Sequence, residues 1–87
     1  MLKITPRFSD GVAVLKLEGT LREAWIDETR RAIDAAAVSH RRISLDLTDV
    51  SFADDAGIAL LGALIQQGIH IAACSGFLAA ALGLEDL

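Results

Sequence analysis

The sequence predicts a small α/β fold, a mixed and mostly parallel sheet of four to five strands carrying three or more helices. Three observations support this. Short β-type segments alternate with helical ones along the chain, the pattern of helices packed on a parallel sheet and joined by right-handed crossovers. Asp10-Gly11 sits between two extended segments, a hairpin signal that adds one antiparallel pair at one side. The 87 residues are 53% hydrophobic, which suits one domain spanning residues 1–87, near the small end of what folds alone.

Lys3 to Phe8 reads as an extended segment, confined by Pro6 to an edge or a strand end. Val12 to Leu17 reads as a strand covered on at least one face. Gly19 then breaks the pattern, and Thr20 with Glu23 forms a capping box that opens a helix from about Arg22 to about Ser39. Ile26, Thr29, Ile33 and Ala36-Ala37 share its apolar face, and His40-Arg41-Arg42 complements its C-terminal dipole. Trp25 flanks that stripe and suits either the core rim or a contact anchor.

Ile43 to Leu47 alternates as a short strand with Ile43, Leu45 and Leu47 on one face. After Thr48 to Phe52, Asp54-Asp55-Ala56-Gly57 opens a helix to about Gln67 that is apolar on nearly every side, so it is central or meets something outward. Gly68 suits the residue just past its end, and Ile69 to Ala73 reads as a short buried strand. Ser75-Gly76 turns into a last helix through Phe77, Leu78, Ala81, Leu82 and Leu84, before Glu85-Asp86-Leu87.

Charge narrows the function. Eight Lys and Arg against 12 Asp and Glu leave a net −4, which disfavours a nucleic-acid grip built on clustered cations. Residues 1–49 are neutral, so the net charge comes from Asp54, Asp55, Glu85 and Asp86. Ala56 to Leu84 carries no charge, yet Gln66, Gln67, Gly68, His70, Ser75 and Gly76 interrupt it too often for a membrane span. A single cysteine, Cys74, and the absence of a signal-like N-terminus in Met1 to Phe8 point to a reducing, cytoplasmic setting.

The run Ile43 to Leu61, Ile-Ser-Leu-Asp-Leu-Thr-Asp-Val-Ser-Phe-Ala-Asp-Asp-Ala-Gly-Ile-Ala-Leu-Leu, resembles the STAS domain of anti-sigma factor antagonists and of sulfate-transporter tails. That pattern is a strand ending in Asp-Leu, a Val, an aromatic two residues later, and Asp-Ser-Ser-Gly opening an apolar helix. The likeness is strong over Ile43 to Ile65. It extends in element order over the whole chain, through Leu17-Glu18-Gly19 and Cys74-Ser75-Gly76-Phe77.

The resemblance implies the SpoIIAA-like fold, no cofactor and no catalysis. It also implies docking on a protein partner through Asp54, Asp55, Ala56 and Gly57 and the outward face of the next helix, with Ala59, Leu60 and Ala63. In the family, the second Ser of Asp-Ser-Ser-Gly is phosphorylated by a kinase-like anti-sigma factor, which ends binding. Here Ala56 holds that position and has no hydroxyl, so that switch does not carry over; docking is constitutive or regulated elsewhere. Asp55 brings one charge where phosphoserine brings about −1.5 to −2, a partial mimic at most.

Apart from any partner, Asp54 as N-cap and Asp55 in the first turn suit helix capping. The implied partner is an anti-sigma factor with a kinase-like ATPase fold. An alternative within the same fold is the accessory subunit of a phospholipid-transporting ABC complex, bound to its ATPase subunit. The apolar helix faces also suit a second copy of the chain, as a homodimer. A third reading, a small enzyme or redox protein, would use Asp46, Asp55 or Cys74. It has little support: Asp46 points away from Leu45 and Leu47, no calcium-type loop or paired His is present, and Cys74 has no resolving partner.

Overall fold

A two-residue turn at Asp10 and Gly11, both at positive φ (49° and 81°), joins β1 (Leu2–Ser9) to β2 (Val12–Leu21). Positive φ at both central residues matches the right-handed twist of the flanking strands, which is why Asp-Gly suits it. The strands pair antiparallel from Ser9↔Val12 to Leu2↔Gly19. Helix α1 (Ile26–Ser39), β3 (Arg42–Ala53), α2 (Asp55–Gln66), β4 (His70–Cys74) and α3 (Gly76–Leu82) follow. In this computed structural model, residues 2–39 and 42–83 are described. The expected cation group at His40-Arg41, the last helical position expected at Leu84 and the Glu85-Asp86-Leu87 end lie outside them.

The sheet runs β1-β2-β3-β4, with β2, β3 and β4 mutually parallel. Among the described residues this makes a mixed four-stranded sheet with three α-helices, within the expected four to five strands and three or more helices. Pro6 lies in β1, an edge strand, where its missing N–H costs no ladder bond. One face of the sheet buries the row Leu15↔Leu45, continued by Ile71, together with Leu17 and Leu47. Against it pack Thr29, Ile33 and Ala36 of α1, Leu60, Leu61 and Leu64 of α2, and Leu78 of α3. Ala37, expected on the α1 stripe, is exposed, whereas Trp25 is half-buried at the core rim.

The other sheet face is polar. Thr5, Lys16 and Asp46 align across three strands, and Lys16 Nζ lies 3.0 Å from the Asp49 carboxylate. That hydrogen bond and charge raise the Lys16 pKa. Exposed pairs of this kind contribute little. Lys16→Met is therefore expected to shift the thermal midpoint by no more than about 2 °C, as read by circular dichroism.

Four elements differ from expectation. Gly19 does not end β2: the strand passes through it at φ 108°, with register shifts on both sides, and continues to Leu21. Strand β3 likewise extends to Ala53, because the lengthened β2 offers it Thr20↔Phe52 and Leu21↔Ala53 as further pairs. Thr20 therefore lies in a strand, and Arg22 stands at the N-cap position expected for Thr20. The chain enters a 3-10 turn at Glu23–Trp25 after Arg22, which makes no side-chain cap. Finally, β4 is an edge strand with His70, Ala72 and Ala73 exposed, instead of a buried one.

Candidate functional site

Parallel strands β2 and β3 end side by side at Leu21 and Ala53, and the start of α2 is built on those ends. Asp54 holds the junction. Its backbone N–H donates to the Leu21 carbonyl oxygen at 3.1 Å. Its Oδ1 accepts from the Gly57 N–H at 2.8 Å, the predicted N-cap bond. Its Oδ2 accepts from the Glu23 N–H at 2.9 Å, so one carboxylate caps its own helix and also a helical start at Glu23, 31 residues before it in sequence. Serving Glu23 is the task that the sequence assigned to Thr20. These bonds, Gly57 first and Glu23 second, hold the Asp54 carboxyl below its usual range.

Gly57 is buried, and its absent side chain is the reason α2 fits. A Cβ there would stand 2.5 Å from the Leu21 carbonyl oxygen. Its role is close packing of the helix on the strand ends, which corrects its expected part in partner contact. The expected outward placing of Leu60 is also corrected: it is 3% exposed and belongs to the core, one turn on from Gly57, and reaches the surface only as the floor of a groove. Asp55 and Ala59 are exposed, while Ala56 and Ala63 are half-buried on the outer flank.

Between α1 and α2 runs a groove of about 510 Å³. Ala56, Ala59 and Leu60 line it from α2, and Glu23, Ile26, Asp27 and Arg30 from the 3-10 turn and α1. Sequence reasoning did not single out these last four as a contact surface. Their spacing of three, four and seven residues was the available signal. Also missed was Arg22, whose guanidinium lies 4.9 Å from the centroid of the Phe52 ring. Phe52 is 41% exposed, so this stacked pair stands beside the α2 start as a rigid, amphipathic patch.

The carboxylates that invited an enzymatic reading do not converge. Asp46 accepts from the Thr48 N–H at 3.1 Å and the Thr48 hydroxyl at 2.8 Å, which lowers its pKa, and it neighbours Arg7 and Lys16 on the polar sheet face. Asp49 is paired with Lys16. Among the described residues, no three His, Cys, Asp or Glu side chains come together as metal ligands, and no helix is long and apolar enough to cross a membrane. Cys74 is half-buried and His70 exposed. Ser51 lies in β3 and donates to the Gly19 carbonyl oxygen at 3.1 Å.

Residues 3–73 match the model of the STAS domain. The chain belongs to the STAS domain family. Among solved structures, it is similar to an anti-sigma factor antagonist from Mycobacterium paratuberculosis, with 25% identity and a TM-score of 0.67. That match covers 77% of this chain and 58% of the mycobacterial one. The fold is also that of the anti-sigma factor antagonist SpoIIAA in its unphosphorylated form, with a TM-score of 0.70 and 19% identity over 97% of this chain and 84% of that one. No curated protein matches the chain. In this STAS domain, the segment Asp54-Asp55-Ala56-Gly57 is the helix start described above, with Ala56 at the rim of the groove.

Proposed function

We propose that this STAS domain is a non-catalytic protein-binding module of the anti-sigma factor antagonist kind. It docks on its partner, in the cytoplasm, through the start of α2 and the groove between α1 and α2. One observation carries this reading: the helix start that the family motif marks is flanked by an open groove with an apolar floor, Ala56, Ala59 and Leu60. Small side chains there let a partner approach closely. A non-catalytic role is supported by the carboxylates nearby, since Asp54 is engaged by two backbone N–H groups and Asp49 by Lys16.

The partner class suggested by the family is an anti-sigma factor with a kinase-like ATPase fold, and binding would release its sigma factor. With Ala56 in place of a phosphorylatable Ser, that kinase has nothing to modify at this position. Docking is then constitutive, or controlled outside the motif.

Affinity capture from the native cell tests this. Wild-type protein is expected to retain a kinase-like ATPase. Ala59→Arg, which places a long charged side chain at an exposed groove position without entering the core, is expected to lose at least about nine-tenths of it. Ala59 replaces Leu60 as the position to change because substitution of the buried Leu60 would damage the fold. Retention of the partner by a folded Ala59→Arg protein would show that this face is not the docking surface. Recovery of an ABC transporter ATPase subunit instead would assign the chain to phospholipid-transport complexes.

A further inference from the structure

Resting on that reading of the groove, we infer the chemistry of its occupant: a partner helix whose apolar face is flanked by basic side chains, seated with its cations toward the start of α2. The backbone argument comes first. The groove is walled by α1 with its leading 3-10 turn and by α2, and no strand lines it among the described residues, so it offers a peptide no strand edge to extend. An occupant must satisfy its own backbone hydrogen bonds, as a helix does. The floor of Ala56, Ala59 and Leu60 then accepts apolar side chains within the volume of about 510 Å³.

Charge decides the rest. Glu23 and Asp27 stand one turn apart on one wall, and Asp55 is exposed at the first turn of α2. Arg30, the one cation lining the groove among the described residues, follows Asp27 at the end farther from the α2 start. Arg22, over the Phe52 ring, keeps its positive charge beside Asp54 and does not line the groove, so Glu23, Asp27 and Asp55 leave that end with an excess of negative charge. The groove is therefore acidic near the helix starts and basic farther along, a polarity that also sets the direction of the bound helix. Like charge at an interface is costly and opposite charge speeds encounter. Where the family resemblance implies a negative charge added and removed by phosphorylation, Asp55 is a permanent one, so the partner has to match it at all times.

The test uses the ¹⁵N-labelled full chain and a helical peptide of about 20 residues with Ala and Leu on one face and Arg and Lys flanking it. Two control peptides replace the cations by Glu or scramble the order at constant composition. The basic amphipathic peptide is expected to shift the amide signals of Ile26, Ala56 and Ala59, and to bind about fivefold more weakly on going from about 50 to about 500 mM NaCl. Asp27→Lys together with Asp55→Lys should weaken it about tenfold. Equal binding by the Glu peptide at the same amides would overturn the charge assignment while leaving groove docking intact. Equal binding by the scrambled peptide, or shifts confined to other surfaces, would overturn the helix-in-groove inference itself. Ala59→Arg capture separately decides whether the native partner uses this face.

Discussion

Gly57→Ala is expected to destabilise this protein by about 2 to 3 kcal/mol, lowering its thermal midpoint by roughly 10 to 20 °C. In an open helix the same change would stabilise, because Ala exceeds Gly in helix propensity by about 1 kcal/mol. Here the new Cβ would sit 2.5 Å from the Leu21 carbonyl oxygen, 3.1 Å from the Leu21 Cγ and 3.3 Å from the Ala53 Cβ. The nearest of these is backbone at the end of a paired strand and cannot swing aside. Relief requires α2 to lift from the strand ends, which stretches the Asp54 N–H bond to that same Leu21 oxygen. Gly62 is the internal control: it lies in the same helix, and a Cβ there meets nothing within 4 Å. Gly62→Ala is expected to raise the midpoint by a few degrees. Thermal unfolding of both variants, followed by circular dichroism, checks the pair, and a Gly57→Ala protein as stable as wild type would refute the close-approach account.

What the sequence revealed about this fold, and what it hid, divides along local and non-local interactions. The Asp10-Gly11 turn, the Asp54 cap and the glycine after α2 are encoded within a few residues, and each is legible. The capping box at Thr20 and Glu23 had the right local form and was wrong. Its N–H is served by Asp54, 31 residues away, and nothing local to Thr20 announces that. The same non-local cause lengthened β2 and β3, since each continues only because the other is beside it. For the candidate site, the motif located the helix start, but its apolar composition could not tell inward from outward faces. Leu60 was assigned outward and is core, while the acidic wall from Glu23 and Asp27 comes from another element brought alongside by the sheet.

Asp54→Ala is expected to lower the thermal midpoint by on the order of 10 °C, more than the loss of an ordinary helix cap with one partner. The reason is that two N–H donors, of Gly57 and Glu23, lose the same acceptor group, one at each oxygen. Asp54→Asn discriminates this from a simple charge effect. Its amide has a single acceptor oxygen, so it can cap one of the two helical starts while turning an N–H₂ toward the other. Asn, ordinarily as good an N-cap as Asp, should therefore fall between wild type and Ala. The pH dependence carries the same signature. The folded-state pKa of Asp54 is depressed, so its stabilising contribution is fully present above the unfolded value, near 3.8, and is lost as pH falls through the lower folded value. Stability of the wild type should consequently decline more steeply below about pH 4 than that of Asp54→Asn, which has no proton to take up there. Parallel acid profiles for the two proteins would mean that the bridging carboxylate is not what joins the two helical starts. Because those starts form the acidic end of the proposed groove, a loosened Glu23 turn should also weaken docking in Asp54→Ala even at temperatures where the sheet remains intact.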